Sequence, residues 1–107
     1  MTPPQDRRFE PRAAADHRAV VIAPGLETPC LIADQSAAGM KLRLNRATAL
    51  PAQVIVIDMA RGVAIEADLA WQKGLEAGVR QRAQTPLRGL VPSRLAAARE
   101  VFRRLGG

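Results

Sequence analysis

The sequence predicts an all-β fold, a six-stranded antiparallel β-barrel with a C-terminal α-helix and a flexible N-terminal arm. Short apolar runs alternate with turn dipeptides such as Pro24-Gly25 and Lys73-Gly74, a pattern typical of antiparallel barrels and sandwiches. Apolar residues make up 48% of the 107 residues, which suits one globular domain with one modest core. Helical spacing of the apolar residues begins only after Pro92.

We divide this single domain into four segments. They are an arm (1–14), a barrel (15–82), a linker (83–92) and a helix (93–105). In the arm, Pro3, Pro4 and Pro11 interrupt regular structure, and no apolar periodicity is present. We therefore expect the arm to be flexible.

Six strands are expected in the barrel, over 17–22, 30–33, 40–45, 54–59, 63–71 and 76–82. The alternation is clearest in the fifth, where every second residue from Val63 to Trp71 is apolar. Because a shift of one residue would bury carboxylates, this register is well specified and places Trp71 in the core. Asp58, Glu66 and Asp68 are expected on the outer face. Short glycine-containing connections predict hairpins between strands four and five and between strands five and six.

The C-terminal helix is expected to begin at Ser93, whose hydroxyl is a suitable N-cap after Pro92. Its apolar face is formed by residues at helical spacing, which are Leu95, Ala98, Val101, Phe102 and Leu105.

The composition favours an anionic partner. The formal charge is +6, and 14 of the 16 basic residues are arginine, whose planar guanidinium suits phosphate oxygens and guanine edges. Cys30 is the only cysteine, so an internal disulfide is excluded, and we expect a buried thiol. His17 is the only histidine, and no metal site is expected. Neither a secretory signal nor a membrane span is recognisable, so we expect a cytoplasmic location.

Two short motifs carry the candidate chemistry. Arg8 and Arg12 form an Arg-x-x-x-Arg pattern in the arm, and Asp34, Ser36 and Gly39 form Asp-x-Ser-x-x-Gly after the second strand. Asp34 and Ser36 are two residues apart, so in extended geometry they share a face. Gly39 permits a tight turn with positive φ. Carboxylate, hydroxyl and guanidinium groups together suit an anion with purine edges.

With these motifs in this order, the sequence resembles the PilZ domain family, small bacterial β-barrels that act as receptors for cyclic di-GMP. The family signature is an RxxxR motif before the first strand and a [D/N]xSxxG motif after the second. Here they read "RFEPR" and "DQSAAG", and "EADLAWQKGLEAGVR" is similar to the family's fifth and sixth strands. The resemblance covers roughly residues 6–82.

The resemblance implies a role for each matching residue. Arg8 and Arg12 would bind the guanines and phosphates of the dinucleotide. Asp34 and Ser36 would contact a guanine on the barrel surface, and Gly39 would leave room for the ligand.

Two further positions bear on the resemblance. Arg7 precedes the first motif, at a position that in related domains bears on whether one dinucleotide or an intercalated pair binds. Gln81 departs from the family, which usually has an aromatic or large apolar residue there, and could leave the closing edge of the barrel more polar.

The sequence thus predicts a cyclic di-GMP receptor whose arm orders over the barrel on binding and signals to a downstream protein partner. It would be a monomer or a ligand-linked dimer with no cofactor. The alternative is a PilZ-fold protein-interaction adapter that does not bind cyclic di-GMP. A small basic barrel that binds RNA or DNA is a third reading, disfavoured because aromatic stacking residues are scarce. No catalytic constellation is recognisable, so we do not expect an enzyme.

Overall fold

The computed structural model describes residues 16–107, which form a closed six-stranded antiparallel barrel with one helix packed on its outer wall. The strands are β1 (His17–Ala23), β2 (Leu26–Gln35), β3 (Gly39–Leu44), β4 (Gln53–Asp58), β5 (Val63–Lys73) and β6 (Glu76–Pro86). A 3-10 turn (Ser93–Leu95) leads into the helix α1 (Ala96–Arg104). The predicted six strands and C-terminal helix are confirmed. The predicted arm, 1–14, lies outside the described residues.

Every strand of the barrel pairs with two neighbours. The order around the ring is β1-β2-β3-β6-β5-β4, and β4 returns to β1 with Ile57 opposite Val20. The expected hairpins β4–β5 and β5–β6 are both present. Gln81 leaves the ring closed, since it pairs with Ala67 of β5 and its backbone N–H donates to the Ala38 carbonyl at 2.9 Å.

The interior of the barrel is filled by aliphatic side chains from all six strands. Val21, Ile32, Leu42, Val56 and Ile65 have no exposed surface. Full burial of such a side chain contributes about 1.5–3 kcal/mol, so this cluster supplies much of the driving force for folding. In β3, and in β5 up to Leu69, the period-two alternation indicates the inner face correctly.

A second apolar cluster lies outside the barrel, under α1. Val20 and Ile57 from the outer face of the sheet pack with Phe102 of the helix. This covering explains why β1 and β4 are apolar on both faces. The helix begins later than predicted, at Ala96, because Ser93–Leu95 form the 3-10 turn. The Ser93 side chain makes no capping hydrogen bond. In residues 16–107 no helix is long and apolar enough to cross a membrane.

The strand β6 is longer than predicted, since it continues to Pro86 through part of the expected linker. Its last residues pair with the start of β5, with Pro86 opposite Val63 and Ala83 opposite Glu66. None of residues 80–86 is buried, so this stretch has no apolar alternation by which it could be recognised.

Asp58 is fully buried rather than on the outer face as predicted. Its carboxylate accepts hydrogen bonds from the backbone N–H groups of Ala60 and Arg61, both at 3.1 Å, and lies 3.1 Å from His17 Nε2. These hydrogen bonds compensate for the burial of the charged carboxylate. They also fix the turn between β4 and β5. Cys30 is buried as expected, and burial raises the pKa of its thiol to about 12.

Candidate ligand-binding site

A cleft of about 250 Å³ opens on the outer wall of the barrel where β2, β3, β6 and β5 lie side by side. It collects all three residues of the second motif and three residues from the neighbouring strands. These are Asp34, Ser36, Gly39, Lys41, Gly78 and Trp71.

Four of these residues form one row across the four strands. Asp34 pairs with Lys41, Lys41 pairs with Gly78, and Gly78 pairs with Trp71. Directly opposed residues of neighbouring strands share a face, with Cβ atoms about 4.5–5.5 Å apart. The sheet therefore places a carboxylate, an ammonium group, a gap without a side chain and an indole ring next to one another.

A β-bulge turns Asp34 towards this row. The register of β2 against β3 shifts between Ile32 and Asp34, so that Ala33 is an extra residue on β2. Up to Ile32 the even-numbered residues of β2 point into the barrel. The extra residue reverses this alternation, and Asp34 consequently lies opposite Lys41 on the outer face.

A second bulge has the same effect on Trp71, and it makes the prediction of a core tryptophan wrong. The register of β5 against β6 shifts between Leu69 and Trp71, which leaves Ala70 as the extra residue. Without it, Trp71 would continue the inner face of Val63 to Leu69. With it, the side chain is turned outward and is 46% exposed.

The indole of Trp71 lies directly over Gly78. A Cβ atom added at Gly78 would collide with the indole Nε1 and its neighbouring ring atoms. Any other residue at this position would push the ring away from the strand. Gly78 therefore lets the ring lie against β6, where it forms one wall of the cleft.

Gly39 is needed for a different reason from the one predicted. Its backbone is not in the positive-φ region. A Cβ at Gly39 would instead collide with the carbonyl oxygen of Val79 on β6, so the glycine allows β3 and β6 to approach. The turn before it is fixed by a 2.9 Å hydrogen bond from the Ser36 N–H to the Gly39 carbonyl. This bond places Ser36 at the rim of the cleft.

Two cations lie at or beside the cleft on the described part of the chain. Lys41 lines it, and its Nζ lies 3.6 Å from the Glu76 carboxylate. Both side chains are 41% exposed, so the pair is weak and an incoming anion can compete with Glu76. Arg80 lies opposite Gly39, one row further along β6, and is exposed.

The structure thus brings together the predicted residues Asp34, Ser36 and Gly39. Arg7, Arg8 and Arg12 lie outside the described residues.

Sequence reasoning missed the participation of Lys41, Gly78 and Trp71 in the cleft. The alternation of polar and apolar residues in β2 and β5 could not reveal the two bulges that bring Asp34 and Trp71 into this row. The available sign of an exposed tryptophan was the position of Trp71 near the end of its strand, followed by polar residues. Across residues 16–107, no group of three or more His, Cys, Asp or Glu side chains could hold a metal ion.

Comparisons with family models, with curated proteins and with solved structures found no match to this chain. The function must therefore be argued from the chemistry of the cleft.

Proposed function

We propose that this protein is a PilZ-type receptor that binds cyclic di-GMP in the cleft between Asp34 and Trp71. The observation that carries the proposal is the row of Asp34, Lys41, Gly78 and Trp71, with Ser36 at its rim. The row provides a hydrogen-bond acceptor, a cation and an aromatic surface within a few strand spacings, and a guanine nucleotide has a complementary group for each.

Each group has a distinct task in the proposed complex. The Asp34 carboxylate accepts from the N–H groups of a guanine edge, a charge-assisted bond that is stronger than a neutral one. The Lys41 ammonium group leaves the Glu76 carboxylate and binds a phosphate oxygen of the ligand. The exposed face of the Trp71 indole stacks on a purine, which is worth about 1–3 kcal/mol per base in comparable sites.

The cleft alone is too small for the whole ligand. Its volume of about 250 Å³ is below the range of about 300–1,000 Å³ that is usual for small-molecule sites. One base and its phosphate are thus held on the barrel, and the rest of the dinucleotide needs further contacts. We assign these to Arg8 and Arg12, and we assign to Arg7 the choice between one bound dinucleotide and two.

The affinity of this site can be read from its own fluorescence. Trp71 is the only tryptophan and the chain has no tyrosine, so intrinsic emission reports the cleft directly. Titration with cyclic di-GMP should quench or shift that emission and saturate, whereas GMP at the same concentration should have a much smaller effect. Calorimetry of the same complex gives the stoichiometry, and Arg7→Ala should reduce a two-to-one ratio to one-to-one.

Four variants test the assigned contacts. Arg8→Ala, Arg12→Ala and Asp34→Asn should each weaken binding by about tenfold or more, since each removes a charged partner worth about 1.5–3 kcal/mol. Ser36→Ala should weaken it by about two- to tenfold. Ser93→Ala, an exposed serine away from the cleft, is the matched control. If the wild-type protein does not bind the dinucleotide at low salt, the proposal is wrong.

A protein-interaction adapter that does not bind the dinucleotide is the second candidate. It is favoured by a separate apolar cleft elsewhere on the barrel wall. A partner that binds equally well with and without cyclic di-GMP, and to the Asp34→Asn variant, would favour the adapter.

A further inference from the structure

A second cleft, of about 470 Å³, crosses β1, β2 and β3 and is bordered by Leu105 at the end of α1. Among residues 16–107, its outward apolar side chains are chiefly those of Pro29, Leu31 and Leu105, beside the polar side chains of Arg18, Arg43 and Asn45. Ala19, Cys30 and Leu44 also border it, but their side chains lie inside the barrel. The residues that form it on β2 lie three or more positions before Asp34, about 10 Å or more along the strand. It shares no described lining residue with the proposed dinucleotide site, and the two come nearest on β3, at Lys41 and Arg43.

This cleft exists because α1 covers only part of the barrel wall. The helix packs on the outer side chains of β1, β4 and β5, and Leu105 is its last apolar residue. Beyond Leu105, no helix of residues 16–107 covers the outer side chain of Leu31 on β2, which is partly exposed. Exposed apolar side chains that are rimmed by polar residues are a feature of interaction sites.

The charged groups of the cleft have one sign. Leu31 pairs with Arg18 on one side and Arg43 on the other, so the leucine lies between two exposed guanidinium groups on the same face. No acidic residue within the described range 16–107 lines the cleft. The carboxylate of Asp16 lies 3.8 Å from the Arg43 guanidinium, and the side chains are 65% and 48% exposed.

Neighbouring carboxylates leave this positive character in place. In the absence of the dinucleotide, Glu76, opposite Arg43 on β6, is paired with Lys41, so the test below is made without that ligand. Exposed ion pairs such as Arg43–Asp16 contribute little stability and are readily exchanged for another carboxylate.

We propose that this cleft docks an acidic amphipathic helix of a partner protein, with apolar side chains over Leu31 and carboxylates on Arg18 and Arg43. Charge complementarity supports this occupant, since the whole chain carries +6 as well. The spacing fits a helix: the two arginines are two strand spacings apart, about 9.6 Å, and seven helical residues span about 10.5 Å. Glutamates at positions i and i+7 can thus reach both guanidinium groups, with leucines at i+3 and i+4 between them.

The test uses a fluorescein-labelled helical peptide with that pattern and the full-length protein. Fluorescence anisotropy at physiological ionic strength should show saturable binding. Leu31→Ser should weaken it about tenfold by removing apolar contact. The double variant Arg18→Gln/Arg43→Gln should weaken it about fivefold. Arg103→Gln, an exposed arginine of α1 that does not line the cleft, should leave the affinity within about twofold.

Matched peptides separate the two contributions. Glutamate-to-glutamine replacement in the peptide should match the loss in the double arginine variant, and leucine-to-alanine replacement should match the loss in Leu31→Ser. Because the two arginines are exposed, the double variant remains a valid test even if Leu31→Ser proves unstable.

Three results would overturn the proposal. They are absence of binding up to about 1 mM peptide, equal affinities for the wild type and both cleft variants, and a self-association in sedimentation velocity that Leu31→Ser abolishes. The last result would show that a second copy of the chain occupies the cleft.

Discussion

Two regions of the barrel's outer surface differ in what covers them. The covered wall, under α1, is formed by Val20, Ile22, Ile57 and Ala64. The open wall, over β2, β3, β6 and the end of β5, carries the row of Asp34, Lys41, Gly78 and Trp71. On the covered wall the outer face carries apolar residues, and the helix buries them. On the open wall the polar residues remain, and one large ring is left exposed.

This difference separates stability from recognition. Side chains of the covered wall are between 0% and 6% exposed, so their removal should change the free energy of unfolding. Trp71 is 46% exposed, so its removal should change ligand affinity more than stability. Four variants test that separation.

The largest effect is expected on the covered wall, from Phe102→Ala. This ring is 2% exposed in the cluster between helix and barrel, and truncating such a residue costs about 3–5 kcal/mol. Urea denaturation measures the loss. Leu90→Ala, at a residue that is 97% exposed, should leave the unfolding midpoint unchanged. The affinity of folded Phe102→Ala for cyclic di-GMP should stay within twofold, and a loss beyond that would show that the two walls are coupled.

On the open wall, Trp71→Ala should weaken cyclic di-GMP binding by about 10- to 100-fold because a stacked base loses its support. The free energy of unfolding should change by about 1 kcal/mol or less, since the ring is half exposed. Leu75→Ala is the matched control, because Leu75 is also 46% exposed but does not line the cleft. Calorimetry measures binding, since the variant lacks the fluorophore. Equal losses in both variants would contradict a stacking role.

A smaller effect, of about tenfold in affinity, is expected from Gly78→Ala. The added methyl group occupies the space of the Trp71 indole and displaces the ring from β6. Tryptophan emission should shift to the red as the ring becomes more hydrated. In a Trp71→Ala background the same change should have no further effect on binding, a coupling that a double-mutant cycle measures. Independent losses would mean that Gly78 acts without the ring.

The smallest effect is expected from Arg94→Gln, which removes the ion pair between Glu66 of β5 and the 3-10 turn before α1. Arg94 donates to both carboxylate oxygens of Glu66, at 3.1 and 3.2 Å, and this hydrogen bonding lowers the pKa of Glu66. A lowered folded-state pKa stabilises the protein above the unfolded pKa of glutamate and loses that contribution as pH falls. Arg94→Gln should therefore be slightly less stable than wild type at pH 7, with a difference that shrinks in acid. A difference in the urea midpoint that is constant with pH would contradict this assignment.

Much of the fold follows from patterns that lie within single strands. Alternation locates the inner residues of β3 and of β5 up to Leu69, and glycine-containing turns indicate the hairpins. The end of β6 could not be located in this way, because residues 80–86 are nowhere buried. The start of α1 was missed because Ser93 lies in a 3-10 turn, a local geometry that the capping pattern does not distinguish from an α-helix.

The candidate site was predictable only in part. The motif locates Asp34, Ser36 and Gly39, which line one cleft. The outward position of Asp34 and of Trp71 depends on extra residues at Ala33 and Ala70, each of which reverses the alternation of its strand. An alanine in a bulge is indistinguishable from an alanine in a regular strand, since only the pairing with the next strand reveals the extra residue.

The closed ring of six strands also restricts how any partner can recognise this domain. Many complexes form when an extended peptide adds to the free edge of a sheet and is read through its backbone. Within residues 16–107 every strand already has two hydrogen-bonded neighbours, so no unpaired edge is offered. A partner of the barrel itself would therefore contact side chains of its outer wall, where a few substitutions can change recognition while the barrel stays the same.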